Sequence, residues 1–454
     1  MDNSRRAIFD ILENIERNDL LSDKVINEYL KETKFDKRDD NFIRKIVYGV
    51  LENKLLLNYY IETLTKRKLE KTESQVIILL QMGMYQIDFL DKVPNSAAVN
   101  EAVNLAKEIN PRAKGFVNGV LRNFIRQIDK ITINKKKFNE FLSIKYSYPI
   151  WMVKYFLDEF GEKKTEDIFK FNNKVPKLTV RVNTLKISRE ELINEFTKLN
   201  IESRKSTLTK SGIIIENLNN NSIDTLELFK NGYFYIQDDA SIVVSEILAP
   251  VEGEKVLDVC ASPGGKTTHI AEIMNDKGYI LARDISNKKI DLIKENIERL
   301  EISSIKTEVF DAASDDIENK NKFDKILVDA PCSGLGIIRR KPDIKLQLFN
   351  RERLFQLSQL QLEILLISSD YVKKGGALIY STCSTENEEN REVVLKFLKR
   401  NPHFELNNLS TFNKKRNLSV NKSKENEFIK IYPGISNSNL DGFFMARMTK
   451  KGYQ

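Results

Sequence analysis

From residue 243 onward, apolar strand-like stretches alternate with amphipathic helical ones, and this alternation constrains the fold more than any other feature. The apolar stretches are EKVLDVCA, GYILARDI, KTEVFD, FDKILVDAP and GGALIYSTC, and helical segments such as NKKIDLIKENIERL lie between them. Strict alternation predicts a doubly wound α/β domain, in which ligands bind at the carboxyl ends of the strands. We predict such a domain over residues 241–454.

Two further domains are predicted upstream. Residues 1–130 show helical periodicity, as in SAAVNEAVNLAKEI, and predict an all-α bundle, although a plain helical spacer gives a similar pattern. Residues 131–240 begin with linker helices and continue with a β-α-β-β-α-β order, which predicts a small ferredoxin-like α+β module. Such modules often bind RNA, but a fold alone does not fix a function.

Composition limits the chemistry. The chain has 454 residues with 3 Cys and 2 His. So few cysteines exclude a disulfide scaffold and predict a reducing compartment, the cytoplasm. The histidines, His269 and His403, are far apart in the chain, so we expect no metal site and no histidine relay. No stretch is apolar enough for a membrane span, and the net charge of +8 is compatible with a polyanionic partner.

A glycine-containing segment, CASPGGKT (Cys260 to Thr267), follows the first strand of the α/β domain. Glycines between a strand and a helix let a ligand approach backbone amides at the helix N-terminus. A P-loop would require glycine where Cys260 stands, and the dinucleotide fingerprint is absent. S-adenosylmethionine is the commonest remaining cofactor for such a sheet; a tight turn without a ligand is the alternative.

Carboxylates end the next two strands. Asp284 ends the second strand, about 20 residues beyond the glycines, where an acidic side chain accepts hydrogen bonds from ribose hydroxyls. Asp311 ends the third strand, at the place expected for the adenine end of the same ligand. Each aspartate alone is more often a solvated residue, but three strand ends in series favour a nucleoside cofactor.

Two cysteines follow the fourth and fifth strands. Cys332 lies in DAPCSG, which begins at Asp329, and Cys383 lies in STCS. A single cysteine is usually a small buried apolar residue, but two at adjacent strand ends indicate thiol chemistry. A thiolate that adds to carbon 6 of a pyrimidine makes carbon 5 nucleophilic toward a methyl donor. Lys266 is a candidate source of the positive charge that favours the thiolate, and Asp329 is a candidate hydrogen-bond partner of the base.

CASPGGKTT, DAPCSGLG and STCSTENEEN resemble the signature motifs of RNA cytosine-5 methyltransferases. The resemblance implies a seven-stranded Rossmann-like methyltransferase domain, with Cys383 as the nucleophile and Cys332 assisting product release. It also implies that S-adenosylmethionine is held by Cys260, Ala261, Ser262, Pro263, Gly264, Gly265, Lys266, Asp284, Asp311 and Asp329.

The rest of the chain narrows the resemblance to the RsmB (Sun/Fmu) subfamily. DKVPNSAAVNEAVNLAK and AKGFVNGVLRNF are similar to its NusB-like RNA-binding domain, RVNTLK and YFYIQDDAS to its intermediate region, and PDI and DGFF to its later motifs. This implies methylation of 16S ribosomal RNA, free or in early small-subunit particles, at the cytosine numbered 967. We also expect a monomer, although no sequence feature indicates the oligomeric state. A transfer RNA cytosine-5 methyltransferase and a NusB-like assembly factor without turnover stay open as alternatives.

Two parts of the sequence leave RNA contacts open. Lysines 135–137 and the run Arg339-Arg340-Lys341 are candidate RNA contacts, although a solvated face is the simpler interpretation of the lysines. Ser262 replaces an alanine that is common in the glycine loop of the family, and a polar, basic insertion spans residues 407–428 before the last strand.

Overall fold

The computed structural model describes residues 3–18, 20, 22–219, 221–346, 351–410, 412, 427–435 and 440–452. The chain divides into two compact units. Unit 1 comprises Met1–Lys174 and Ile338–Leu348, and unit 2 comprises Val175–Ile337 and Phe349–Gln454. Most of the polar insertion lies outside the described residues. In the described part, no helix has both the length and the apolar character needed to cross a membrane.

Unit 1 is all α-helical. Its helices are α1 Asn3–Asn18, α2 Ser22–Thr33, α3 Lys37–Glu52, α4 Lys54–Thr65, α5 Ser74–Phe89, α6 Asn95–Ile109, α7 Lys114–Gln127, α8 Phe138–Tyr146 and α9 Ile150–Asn172. α5 is buried almost all round, so it forms the centre of the bundle. A methyl group at Gly83 of α5 would lie 2.7 Å from Leu121 of α7, so glycine there allows the two helices to pack closely.

A segment that follows Cys332 in the sequence belongs to unit 1. It contains a short 3₁₀ helix, Pro342–Lys345. The Lys345 ammonium is buried and donates to the backbone oxygens of Glu52 and Tyr146, at 3.0 and 3.1 Å. Burial lowers the pKa of Lys345 to about 8, against the attraction of Glu52. The Asp343 carboxylate accepts a hydrogen bond from the Ser22 amide. Polar contacts therefore anchor this segment within the helical unit.

Unit 2 begins with the small α+β module. Its elements are β1 Leu178–Val182, α10 Arg189–Lys198, β2 Glu202–Lys205, β3 Gly212–Asn217, α11 Glu227–Lys230 and β4 Phe234–Ile236. The sheet is antiparallel in the order β2-β3-β1-β4, and α10 begins with a capping box between Ser188 and Glu191. The predicted ferredoxin-like order is confirmed, although the second helix, α11, has only four residues.

The large sheet carries the rest of unit 2. Its elements are α12 Asp239–Leu248, β5 Lys255–Asp258, α13 Gly265–Ile273, β6 Tyr279–Asp284, α14 Asn287–Leu300, β7 Ile305–Val309, β8 Phe323–Asp329, α15 Arg351–Tyr371, β9 Val372–Thr382, α16 Arg391–Arg400, β10 Phe404–Leu406, β11 Phe428–Ile431 and β12 Phe443–Lys450. The strand order is β10-β12-β9-β8-β5-β6-β7, and β11 also pairs with β12. The α/β class is confirmed, and β11 is an eighth strand beyond the seven expected.

Alternation of side chains explains why this sheet is covered on both faces. Val256 and Leu327 pack into one hydrophobic cluster, whereas Leu257 and Val328 pack into another. Successive side chains of a strand point to opposite faces, so strands that are apolar at every position lie between two helical layers. β5, β6, β7, β8 and β9 are parallel, and their carboxyl ends therefore meet at one edge. That edge carries the candidate site.

Candidate active site

The loop from β5 to α13 has a backbone shape that depends on glycine. Gly264 has a φ of 99°, in the left-handed region that residues with a Cβ rarely adopt. Its amide donates to the Ala261 oxygen at 2.7 Å, which closes a turn, and α13 starts at the next residue, Gly265. The turn leaves the first amides of α13 facing the sheet edge, where an anionic or polar ligand group is stabilised.

A buried carboxyl group supports this loop from beneath. Asp258 ends β5, and its Oδ2 accepts a hydrogen bond from the Thr267 hydroxyl at 2.7 Å. Burial raises the pKa of Asp258 to about 7, although the Thr267 hydrogen bond opposes the shift. Its Oδ1 is buried and has no partner in the described chain, a position suited to a proton. Asp258 was not predicted as a site residue, although it lies only two residues before Cys260, where the glycine loop motif begins.

Asp284 joins the end of β6 to the glycine loop. Its Oδ2 accepts from the Ser262 amide at 3.0 Å, and its Oδ1 accepts from the Ile285 amide at 2.8 Å and from Lys289 at 2.9 Å. These donors fix the carboxylate at the sheet edge. Asp311 lies two residues beyond β7 and is exposed, and its carboxylate accepts from the Ala313 amide at 3.0 Å. Both aspartates therefore follow the strand ends at which they were predicted.

An ion pair lies beside these cofactor candidates. The Lys266 ammonium on α13 is 2.6 Å from Asp329 Oδ2 at the end of β8. Asp329 Oδ1 accepts from the hydroxyl of Ser381, its register partner on β9, at 2.7 Å. Burial opposes the charge of Lys266, but Asp329 and Cys383 favour it, and the pKa of Lys266 is raised. The ammonium is therefore held charged between a carboxylate and a sulfur.

Cys332 and Cys383 form a pair at the ends of β8 and β9. Their Sγ atoms are 3.4 Å apart, and both residues are partly exposed. The hydrogen bond with Cys383, together with burial, raises the pKa of the Cys332 thiol well above its ordinary range. The Cys332 thiol is therefore protonated at neutral pH. Burial also raises the pKa of Cys260, which lies in the glycine loop, so Cys260 is not an activated thiol.

Glu389 connects the two cysteine loops, and sequence analysis missed it. Its buried carboxylate accepts from the Ser333 amide at 2.8 Å and from the Ser333 and Ser384 hydroxyls, each at 2.5 Å. Gln361 of α15 donates to it as well, at 3.0 Å. Ser333 follows Cys332, and Ser384 follows Cys383. One carboxylate thus fixes both loops. Glu389 lies within the STCSTENEEN motif, but spacing alone gave no means of choosing among its acidic residues.

Arg181 of the small module contacts the glycine loop and α13. This buried side chain of β1 forms a bidentate ion pair with Glu272 at 2.8 and 2.9 Å and also donates to the Gly265 oxygen. It donates to Thr268 of α13 at 2.9 Å. The sequence held one indication of this role: Arg181 lies in a largely apolar strand, LTVRV, where its side chain would be buried. A buried charge requires a partner, so a partner for Arg181 could have been expected.

The candidate RNA contacts in unit 1 differ in exposure. Lysines 135–137 are exposed, and Lys137 lies 3.1 Å from Glu140. Arg339 is buried, with its guanidinium 4.6 Å from the centre of the Phe171 ring, and Lys341 pairs with Asp23 at 3.1 Å. Of these candidates, Arg339 is engaged within the helical unit, whereas lysines 135–137 are exposed.

The residues at the sheet edge fit a nucleoside cofactor. Gly264 keeps the entrance to α13 free of a side chain, and four parallel strands end at or within two residues of an aspartate on the same edge. Within the described ranges, no three His, Cys, Asp or Glu side chains lie together in a way that could hold a metal ion.

Comparison with known proteins agrees with this arrangement. The family described as "16S rRNA methyltransferase RsmB/F" matches residues 245–449. The NusB family matches residues 2–126, and the ferredoxin-like domain of RsmF/B-like methyltransferases matches residues 148–220.

Individual relatives are similar to this chain over nearly its whole length. The probable ribosomal RNA small subunit methyltransferase B of Bacillus subtilis (strain 168) is 36% identical, with 99% of each chain covered. The ribosomal RNA small subunit methyltransferase B of Proteus mirabilis (strain HI4320) is 35% identical over 80% of this chain and 83% of its own. The crystal structure of PH0851 superposes with a TM-score of 0.81 at 27% identity, covering 98% of both chains.

Proposed function

Since this chain belongs to the ribosomal RNA small subunit methyltransferase B family, we propose that it methylates carbon 5 of cytosine 967 in 16S ribosomal RNA through a covalent cysteine intermediate. The family comprises rRNA methyltransferases that use S-adenosylmethionine. The observation that carries the covalent mechanism is the pair of sulfurs, Cys332 and Cys383, 3.4 Å apart beside the Lys266–Asp329 ion pair.

S-adenosylmethionine fits the edge formed by the glycine loop and the strand-end aspartates. The backbone from Cys260 to Lys266 would hold its polar end, Asp284 its ribose hydroxyls and Asp311 the adenine side. Asp329 closes the site on the side of the cysteines. The cofactor supplies an electrophilic methyl group at this place.

Cys383 is proposed as the nucleophile. Carbon 5 of cytosine is a weak nucleophile, and addition of the Cys383 thiolate to carbon 6 makes carbon 5 electron-rich. Positive charge near a thiol favours its thiolate, and the Lys266 ammonium interacts with Cys383. The Cys332 sulfur lies within hydrogen-bond distance of the Cys383 sulfur, at 3.4 Å. Asp329, oriented by Ser381 and Lys266, is placed to hydrogen-bond the base and to offset charge that develops on the ring.

Cys332 is proposed to assist release. After carbon 5 carries the methyl group, its proton passes to solvent, the electrons of that bond form the double bond between carbons 5 and 6, and the bond between Cys383 and carbon 6 breaks with its electron pair returning to sulfur. The aromatic ring is restored, and Cys383 leaves as a thiolate. Cys332 lies near enough to the Cys383 sulfur to take part in this elimination. Glu389 holds the two cysteine loops in fixed relative positions during these steps, because its carboxylate accepts hydrogen bonds from Ser333 and Ser384, the residues that follow the two cysteines.

The substrate assignment can be tested directly. We expect incubation of the full chain with unmodified 16S RNA and labelled S-adenosylmethionine to place 5-methylcytosine at position 967. Parallel reactions contain transfer RNA and assembled small subunits. Absence of 5-methylcytosine from 16S RNA contradicts the proposal: label in transfer RNA would favour the transfer RNA enzyme, and cofactor binding without turnover on any RNA would favour an assembly factor.

Ribosomal RNA as substrate places the proposed activity in the cytoplasm, on free 16S RNA or on early small-subunit particles. We propose that the chain acts as a monomer, because both cysteines and all the cofactor candidates lie in one chain.

A further inference from the structure

A cavity of about 400 Å³ lies between α6 and α7 of the helical unit. It is lined by Ser96, Val99, Asn100, Arg122, Ile125 and Arg126. Its volume falls in the range of roughly 300–1,000 Å³ that is typical of ligand pockets. Val99 and Ile125 contribute apolar surface, whereas the arginines and the two short polar side chains contribute hydrogen-bonding groups. The pocket therefore combines apolar surface with two positive charges.

The two arginines are available to a ligand. Both are exposed, and Arg122 donates from Nε to Asn118 at 3.1 Å. Neither forms an ion pair with any residue that the structure describes. Residues 111–128, which include all of α7, contain four basic side chains and no acidic one. On a helix whose surface charges only form salt bridges, acidic side chains would lie near these arginines. This stretch has none, so its own side chains do not neutralise the guanidinium groups.

Two glycines, Gly115 and Gly119, lie on the same face of α7 as the arginines and form a stripe without side chains, which we call the glycine stripe. Gly115, Gly119, Arg122 and Arg126 are spaced by 4, 3 and 4 positions, which places them on one helical face. A methyl group on either glycine would meet nothing within 4 Å. Glycine within a helix costs about 1 kcal/mol relative to alanine. Because no described residue packs there, the two glycines leave the helix open to a close approach from outside.

We propose that this pocket binds one unpaired nucleotide of the RNA substrate, with the neighbouring strand running along the glycine stripe. Arginine guanidinium groups bind phosphate through paired hydrogen bonds and also stack on bases. The partly exposed side chain of Ile125, which lies with the buried Val99 at the floor of the pocket, is suited to the face of a base, and Asn100 and Ser96 to its edge. The inference rests on the proposed function, since it assumes that the substrate is RNA, and it adds a second binding site to the one that carries out methyl transfer.

The charge part of the proposal is tested with the full chain and unmodified 16S RNA. We expect the double variant Arg122→Gln/Arg126→Gln to bind RNA about tenfold or more weakly at 0.1 M salt. The slope of log Kd against log salt should fall by about 0.7 for each single-strand phosphate contact that is lost. The matched control is Lys163→Gln/Lys164→Gln, which removes two exposed charges from α9 of the same unit. Equal affinity and equal slope in the two variants would overturn the proposal.

A charge-neutral variant tests the strand path. Gly119→Leu raises helix propensity, so the free energy of unfolding should not fall, while the new side chain covers the bare stripe. We expect weaker RNA binding with an unchanged midpoint of thermal unfolding or a higher one. Wild-type affinity in Gly119→Leu would refute the path along the stripe, and the pocket would then be a candidate site for a protein partner.

The experiments distinguish failure of the pocket proposal from failure of the proposed function. In methyl-transfer assays, the RNA concentration that gives half the maximal rate should rise in Arg122→Gln/Arg126→Gln and in Gly119→Leu, whereas the control Lys163→Gln/Lys164→Gln should keep the wild-type value. If the wild-type chain methylates no RNA, the proposed function fails, whereas the binding comparison still decides the role of the pocket.

Discussion

The guanidinium of Arg181 in the small α+β module lies 2.8 Å from the carboxylate of Glu272 on α13, and both side chains are inaccessible to solvent. Burial raises the pKa of Glu272 to about 7 despite this pairing. The same arginine donates to the Gly265 oxygen in the glycine loop. The module is thus joined to the glycine loop by a buried charge pair, so the packing of the module and the position of the loop depend on each other.

Removal of one partner of this pair should be costly. We expect Arg181→Met to lower the free energy of unfolding by about 3–5 kcal/mol, because Glu272 is left buried and unpaired. The double variant Arg181→Met/Glu272→Met should recover most of the loss, since no buried charge remains. Urea unfolding measures both. A loss below about 1 kcal/mol in the single variant would mean that the pair is not essential to the packing of the module.

Glu389 should act on catalysis through the positions of the two cysteines. Glu389→Ala removes the acceptor shared by Ser333 and Ser384, and a displacement of about 1 Å at a reacting group can cost 10²-fold in rate. We expect kcat to fall by about that factor while the affinity for S-adenosylmethionine is unchanged, with partial rescue by Glu389→Gln. Glu388→Ala is the neighbouring control. Equal kcat in the two alanine variants would exclude the positioning role.

Asp258 should make stability depend on pH. Its pKa rises from 3.8 to about 7 on folding, because of burial. Between these values the folded state keeps a proton that the unfolded state releases, so stability falls as the pH rises through this window. Asp258→Asn has no such proton. Its free energy of unfolding relative to the wild type should therefore increase by up to roughly 4 kcal/mol from pH 4 to pH 8. A difference that does not vary with pH would contradict the assignment.

Lys266 should control the pH profile of methyl transfer. Lys266→Met removes the positive charge beside Cys383, which favours the thiolate, and also the partner of Asp329. We expect a lower rate at neutral pH and a profile of kcat against pH that is displaced to higher pH. Lys266→Arg keeps the charge and should retain the wild-type profile. An unchanged profile in Lys266→Met would assign Lys266 to cofactor binding alone.

The sequence predicts the architecture well where local patterns decide it. Apolar stretches that end in polar residues predicted the strands, and parallel order places Asp284, Asp329 and Cys383 at one edge. The predicted ferredoxin-like order followed from alternation of strand and helix patterns. The short strand β11 was missed, since four residues, FIKI, carry too little periodicity to separate a strand from a loop.

The contacts that could not be predicted join residues far apart in the chain. Arg181 and Glu272 are 91 positions apart, and nothing local indicates that they pair. Residues Ile338–Leu348 follow Cys332 in the sequence but pack with the helical unit, so Lys345 contacts Glu52 across 293 positions. Such partners depend on tertiary packing, which periodicity and motif spacing do not describe.

The central claim, that Cys383 attacks the RNA base and Cys332 assists its release, is tested most directly by trapping the intermediate. We expect Cys332→Ala, incubated with 16S RNA and S-adenosylmethionine, to form a covalent RNA–protein complex that survives denaturing electrophoresis and maps by mass spectrometry to Cys383. The double variant Cys332→Ala/Cys383→Ala should form none. A complex that accumulates instead in Cys383→Ala, with the RNA attached to Cys332, would reverse the two roles and contradict this account.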